Sequence, residues 1–126
     1  MTERELLQRT KQFALRVFKL VGALPETIQG KAVAAQLIRS GTSVAANYRA
    51  ACRVRSKPEF VAKLGVVAEE ADESAFWLGL LIETGLLNLH QVTPLLAGAS
   101  EIVAMMASSK KTAAKSQIAN RKSKIQ

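Results

Sequence analysis

Apolar residues recur at alternating spacings of three and four along most of this 126-residue chain. This rhythm follows the 3.6-residue turn of an α-helix and places the apolar side chains along one side of it. The chain has only three prolines, at positions 25, 58 and 94. Because proline interrupts the hydrogen bonds of a helix interior, long helices separated near these positions are predicted.

The first helix is predicted to begin at the N-terminus and to end at Pro25. Thr2 and Glu5 have the spacing of a capping box, in which each side chain bonds a backbone N–H of the first turn. Six residues then form an apolar seam: Leu6, Thr10, Phe13, Val17, Leu20 and Leu24. Proline ends the helix because its ring cannot continue the hydrogen-bond ladder.

The second helix is predicted from about Gly30 to Val54, and it is rich in small residues. Gly41 alone costs about 1 kcal/mol relative to alanine in a helix interior. Such a composition favours close packing against a neighbouring helix as the compensation. The seam of this helix is Ala34, Leu37, Gly41, Val44, Tyr48 and Ala51.

The third helix has the sharpest boundaries in the sequence. Ser56 is predicted to cap it, Pro58 fits its first turn, and Glu59 completes a capping box. Gly85 is a suitable left-handed cap at its C-terminal end. The seam is Phe60, Leu64, Val67, Ala71, Ser74, Leu78 and Leu81.

The fourth helix begins at Asn88 or at Thr93, and the sequence does not decide between them. Leu95, Ala99, Ile102 and Met106 form its seam. Four helices with short links predict an all-α fold, an antiparallel up-down-up-down four-helix bundle. The apolar rhythm thins out after Ser109, so residues 1–109 are predicted to form the bundle and residues 110–126 a basic, flexible tail.

The formal net charge of +8 is unevenly distributed. Residues 110–126 have no acidic residue, whereas residues 1–109 have 12 Lys and Arg against 10 Asp and Glu. A basic tail can attract nucleic acid or anionic lipid, but it can also be a solubilising segment. The basic residues of the tail are Lys110, Lys111, Lys115, Arg121, Lys122 and Lys124.

Few residues are suited to catalysis or metal binding. The single cysteine, Cys52, excludes an internal disulfide, and the single histidine, His90, is expected at the surface. No Glu-x-x-His pair accompanies the acids around Glu70, as a di-metal helical site would require. We therefore expect no enzyme activity, cofactor or metal. The N-terminus lacks the pattern of a signal peptide and no segment has the unbroken apolar length of a membrane span, so a cytoplasmic protein is expected.

The acidic cluster of the third helix is better explained as the partner of an arginine. In a hairpin of the second and third helices, Arg39 lies opposite the neighbourhood of Asp72. We expect a partly buried ion pair of Arg39 with Glu69, Asp72 or Glu73.

A line of polar, mostly small residues runs beside the apolar seam of the second helix. Gln36, Ser40, Ser43 and Asn47 follow spacings of four, three and four. This line is either a solvated face or a close contact between protomers. The small residues around it favour the contact.

Two segments resemble a known family. The run LIRSGTSVAANYRAACRVRSKPEFVAKLGVVAEEADESAFWLGLL resembles the core signature of the bacterial four-helix bundle proteins encoded by intervening sequences in 23S rRNA genes. The upstream run QRTKQFALRVFKLVGALP fits the first helix of that family. The resemblance covers roughly residues 6–108 and leaves the basic tail outside.

The resemblance implies a ring-like homopentamer of antiparallel four-helix protomers, most of them without established activity. A related protein, the accessory variability protein of diversity-generating retroelements, forms a pentamer that binds nucleic acid and partners a reverse transcriptase. Carried over to this chain, five basic positions would contact phosphates: Arg9, Arg16, Arg49, Arg53 and Arg55.

Two functions remain open from the sequence. The first is a non-enzymatic, oligomeric protein associated with RNA or DNA, with a nucleic-acid-processing protein as a further partner. The second is a structural or protein-binding scaffold without a nucleic-acid role. Within the first, the binding site is either the tail, as the charge distribution indicates, or the bundle surface, as the resemblance implies.

Overall fold

The computed structural model describes the backbone of residues 1–125 and the side chains of residues 1–116. Within this range the chain forms four α-helices and no strands. The helices are α1 (Glu3–Val21), α2 (Ile28–Ala51), α3 (Lys57–Thr84) and α4 (Leu89–Ile125). The predicted all-α class with four helices is confirmed.

The four helices share one apolar core. α3 packs against both α2 and α4, whereas α1 packs mainly against α2 and less against α4. The apolar seam of α1 is buried along its whole length, and the seams of the other helices are buried except for Ala34 and Phe60, which are half-buried. The largest fully buried side chains include Tyr48, Leu37, Leu64, Leu78, Leu81 and Met106.

α1 ends at Val21, four residues before the predicted end at Pro25. The backbone N–H groups of Ala23 and Leu24 bond carbonyls three residues earlier, at 3.0 and 3.2 Å, and this tighter turn replaces the helix. Leu24 nevertheless remains buried in the core. The apolar pattern therefore continued through the turn and did not reveal where the helix ended.

α2 and α3 begin at side-chain caps. Thr27 accepts a hydrogen bond from the Gly30 backbone N–H at 3.0 Å, and Ser56 accepts one from the Glu59 N–H at 3.3 Å. Each bond satisfies a donor that has no partner inside the helix. Gly85 ends α3 with a φ of 70°, the left-handed conformation that glycine adopts without strain.

α2 and α1 approach most closely at Gly41. A Cβ atom added to this glycine would lie 2.8 to 3.0 Å from three side-chain atoms of Val17, which is fully buried. The absence of a side chain at this position lets the two helices pack closely, as the composition of α2 indicated.

α4 begins at Leu89, because the Asn88 side chain accepts a hydrogen bond from the His90 backbone N–H at 2.8 Å. Pro94 therefore lies inside the helix rather than in its first turn. α4 continues without a break past Ser109, and Ala113 is buried. The division of the chain at residue 109 stays a prediction, but the helix extends across it.

The stretch Leu89–Ser116 of α4 is long and apolar enough to cross a membrane by length and composition. The same stretch supplies Val92, Leu95, Ala99, Ile102 and Met106 to the core shared with the other helices. Packing in this core accounts for these five apolar residues.

Candidate nucleic-acid interface

Basic residues collect at the end of the molecule where α2 ends and α3 begins. Arg49 lies in the last turn of α2, Arg53 and Arg55 lie in the link, and Lys57 is the first residue of α3. All four side chains are exposed. They are spread over only nine positions, so the turn alone presents a dense positive charge.

The late part of α4 adds further basic residues to this end. Lys57 Nζ donates a hydrogen bond to Ser116 Oγ at 2.5 Å. The Lys110 ammonium lies against Gly65 of α3, 3.2 Å from the position of a Cβ atom added there. These contacts hold α4 beside the start of α3. We refer to the following set as the basic end: Arg49, Arg53, Arg55, Lys57, Lys110, Lys111 and Lys115.

The basic end is not neutralised by ion pairs. Among the described side chains, ion pairs join Arg9 to Glu101 and Arg39 to two glutamates, and none involves the basic end. Two carboxylates lie at this end, Glu59 in the first turn of α3 and Glu3 in a pocket shared with Arg55 and Lys57, so the seven basic side chains keep an excess of positive charge. The acidic cluster of α3 begins 12 residues after Lys57, which corresponds to about 18 Å along a helix. The positive potential of the basic end is therefore available to a ligand.

Two of the three arginines of α1, Arg9 and Arg16, do not belong to this surface. Arg9 donates to a carboxylate oxygen of Glu101 at 2.5 Å, so its charge is already paired. Arg16 is exposed and lines a shallow pocket of about 360 Å³ with Lys19 and Gln91. The structure thus brings together Arg49, Arg53 and Arg55 of the predicted nucleic-acid-binding residues on the bundle, but separates them from Arg16.

Of the six tail residues predicted to bind nucleic acid, three have described side chains. Lys111 and Lys115 are exposed, and Lys110 is half-buried against α3. Arg121, Lys122 and Lys124 are part of α4, but their side chains lie outside the described residues.

The ion pair of Arg39 includes the expected Glu73, and its second partner is Glu70 instead of Glu69 or Asp72. Arg39 donates to Glu73 and, at 3.2 Å, to Glu70. Glu69 and Asp72 are exposed and do not bond it. The hydrogen bond to Glu73, followed by the charge of Glu70, raises the pKa of Arg39.

The pair is partly buried on the glutamate side, as expected, since the Glu70 and Glu73 side chains are 21% and 38% exposed, whereas the Arg39 side chain is 47% exposed. Glu73 also accepts a hydrogen bond from the Trp77 indole at 3.3 Å. The helical register explains this grouping, because Glu70, Glu73 and Trp77 are three and four residues apart and share one face of α3.

The polar line of α2 is divided between the core and the surface. Ser40 is fully buried and bonds Ser74 at 2.8 Å, and Ser74 donates to the Glu70 carbonyl at 2.9 Å. Ser40 is therefore the donor to Ser74, and it contacts α3 of its own chain, not another protomer. Of the remaining three predicted interface residues, Gln36 is exposed, whereas Ser43 and Asn47 are half-buried.

A pocket of about 670 Å³ opens at the basic end, between residues of all four helices. Tyr48 and Cys52 lie in its wall. Burial raises the pKa of Tyr48, and burial together with the Glu3 carboxylate raises the pKa of the Cys52 thiol to about 11. Both groups are therefore neutral near neutral pH.

The sequence did not predict this pocket, nor that Lys57 lines it. The sequence did contain a signal for the polar wall of the pocket: Ser108, Thr112 and Ser116 are spaced four residues apart, which places them on one side of α4. The polar spacing continues the helix after the apolar rhythm stops. Among the described residues, no group of three His, Cys, Asp or Glu side chains is placed to hold a metal ion.

The fold of this chain is similar to that of a solved structure. A crystal structure of a protein of unknown function from the S23 ribosomal protein family of Bacteroides thetaiotaomicron superposes with a TM-score of 0.78. That protein is 30% identical, and the match covers 88% of this chain and 99% of the other. A comparison with curated proteins gives no match.

The family follows from the sequence match. The model of the 23S rRNA-intervening sequence protein family matches residues 2–108. The chain belongs to this family, as the resemblance of its second and third helices indicated. The matched region ends just before the basic residues that α4 contributes to the basic end.

Proposed function

We propose that this protein is a non-enzymatic, RNA-associated accessory protein that contacts RNA through its basic end. The observation that carries the proposal is the convergence of the α2–α3 link with the late part of α4. Seven basic side chains from separate parts of the sequence share one end of the molecule, and none is used in an ion pair among the described residues. Such a surface binds phosphates by releasing their counterions.

This arrangement joins two sites that the sequence left as rivals. Lys111 and Lys115 belong to the predicted tail, whereas Arg49 and Arg53 belong to the bundle surface. The Lys57–Ser116 contact supports a single interface formed by both. Either RNA or DNA offers the phosphates. We also propose a nucleic-acid-processing protein as a further partner and a cytoplasmic location.

The proposal includes an antiparallel up-down-up-down bundle that assembles as a ring-like homopentamer. Successive contacts between α3 and α4 support the antiparallel direction, since Lys57 meets Ser116 while Gly65 meets Lys110. Exposed apolar side chains support assembly: Phe18 is 55% and Phe76 58% exposed. A ring would present several basic ends to one RNA, and linked weak contacts gain through effective concentration.

The alternative function is a structural or protein-binding scaffold. The near balance of 12 basic and 10 acidic residues over residues 1–109 favours it. On that alternative, the basic end only keeps the protein soluble, and binding to RNA would not depend on which end of the molecule carries the charge.

A charge-matched pair of variants separates the two functions. Arg49→Glu with Arg53→Glu changes the basic end, whereas Lys19→Glu with Lys31→Glu makes the same change in net charge elsewhere. Binding of a fluorescein-labelled single-stranded RNA is measured by anisotropy at about 50 mM salt. The proposal predicts a loss of at least about tenfold for the first variant only, since each reversal removes a phosphate contact and adds a repulsion. Equal losses in both variants, or no binding by the wild type, would support the scaffold.

A further inference from the structure

The pocket at the basic end has walls of two kinds. One wall is apolar and aromatic and includes Leu6, Tyr48 and Phe60. The other wall is formed by α4 and presents hydroxyl groups, those of Ser108, Ser109, Thr112 and Ser116. Charged residues complete the lining, with Glu3 on α1 and Arg55 and Lys57 on the link and α3.

We propose that this pocket takes one unpaired nucleotide of a single-stranded RNA, with the base inside and its phosphate at Arg55 and Lys57. The inference rests on the proposed function and specifies which part of an RNA the basic end selects. A volume of about 670 Å³ falls in the range of pockets that enclose small organic ligands, about 300 to 1,000 Å³.

The chemistry of the lining matches a nucleotide part by part. Phe60 is half-buried, so its ring can contact a base, and bases stack on aromatic side chains in single-stranded complexes. Glu3 is an acceptor in the lining and suits a base that carries an amino group, as carboxylates do with cytosine. The α4 hydroxyls can bond the ribose, which offers a 2′-OH as donor and acceptor.

The same lining disfavours an acyl chain, the other common ligand of a basic-rimmed pocket. An acyl chain would remove the charged groups of Glu3, Arg55 and Lys57 from water without giving them a hydrogen bond, and burying charged groups without partners is costly. Duplex RNA is also excluded from the pocket, because its bases are stacked and paired inside the helix.

The pocket can be filled without changing charge. Thr112→Phe places an aromatic ring in the pocket from an exposed position, and Ala114→Phe adds the same ring to α4 outside the lining. Two labelled probes are compared by anisotropy: a single-stranded RNA and a blunt duplex containing the same strand. We expect Thr112→Phe to weaken single-strand binding about tenfold and to leave duplex binding and the salt slope unchanged. Ala114→Phe should bind both probes like the wild type.

A second measurement tests the base contact. The wild type is expected to bind oligocytidine several-fold more tightly than oligouridine, because cytosine, unlike uracil, carries an amino group that can donate to Glu3. Glu3→Leu should abolish this preference, whereas Glu5→Leu, the same change two residues later and outside the pocket lining, should retain it.

Two outcomes overturn the pocket inference while leaving the proposed function intact. One is RNA binding that responds to Arg49→Glu with Arg53→Glu but is unchanged in Thr112→Phe. The other is a Thr112→Phe effect that is equal for single strand and duplex. If no RNA binds the wild type and a peptide or an acyl chain occupies the pocket instead, both proposals fail. Circular dichroism must show the same helix content for Thr112→Phe and Ala114→Phe.

Discussion

The Lys57 ammonium, at the first residue of α3, donates a hydrogen bond of 2.5 Å to the Ser116 hydroxyl on α4. The two residues are 59 positions apart in sequence. Their contact places the late part of α4 beside the α2–α3 link. Two sets of basic residues that look unrelated along the chain consequently lie at the same end of the molecule.

The close approach of α1 and α2 predicts opposite effects for two glycines. Gly41→Ala adds a methyl group that meets fully buried Val17 at 2.8 Å, so overpacking of about 1–3 kcal/mol should outweigh a helix-propensity gain of about 1 kcal/mol. Gly79→Ala meets no atom within 4 Å and should stabilise the protein by up to about 1 kcal/mol. Urea unfolding measures both free energies. Stabilisation by Gly41→Ala would contradict the described packing.

Arg39→Ala should lower the melting temperature only slightly. The arginine side chain is 47% exposed, and exposed ion pairs contribute little because water and salt screen them. We expect a smaller effect than that of Gly41→Ala, and one that shrinks further at high salt. Thermal unfolding at low and high salt checks this. A large, salt-independent loss would show that Arg39 is buried in the native assembly.

Cys52 should react slowly with alkylating agents. Burial and the Glu3 carboxylate raise the pKa of its thiol from 9.0 to about 11, and the thiolate is the reactive form. At about pH 8 the folded protein should therefore react at least about tenfold more slowly than the urea-unfolded chain. The raised pKa also makes folding less favourable as the pH rises from 9 towards 11, since the unfolded chain then loses its proton first. Equal alkylation rates in both states would contradict this account of the pocket wall.

Light scattering should give a mass several times that of the 13.6 kDa chain, and five times for the predicted ring. Ser43 is a half-buried member of the polar line of α2, and Ser43→Arg should lower this mass because it adds bulk and charge to the predicted contact between protomers. Ala107→Arg makes the same charge change at an exposed position of α4. A wild-type mass near that of one chain at micromolar concentration would refute the oligomer.

The sequence predicted the class, number and buried faces of the helices because each follows from local rules. Spacings of three and four identify the buried side, and Ser56 and Gly85 mark helix ends through bonds to nearby backbone groups. The choice of Asn88 over Thr93 required the side-chain bond to His90, which no apolar pattern reveals.

The partners of Arg39 and the position of Ser40 were harder to predict for another reason. Both depend on how α2 and α3 rotate about their axes, and a rotation of about 100° exchanges Glu69 for Glu70. The pocket needs all four helices at once, because Glu3, Cys52 and Phe60 come together only in the folded chain. Tertiary packing determines which side chains of different helices meet, and the pattern of a single sequence does not reveal that packing.

The salt dependence of RNA binding tests the central claim most directly. Lys111→Gln with Lys115→Gln alters the α4 part of the basic end, and Arg49→Gln with Arg53→Gln alters the link. Affinity for a single-stranded RNA is measured from about 50 to about 200 mM salt. If both parts form one interface, each pair should reduce the slope of log affinity against log salt by about 1.4, and the fourfold variant by about twice that. A slope that changes with only one pair, or with neither, would contradict a single interface at this end of the molecule.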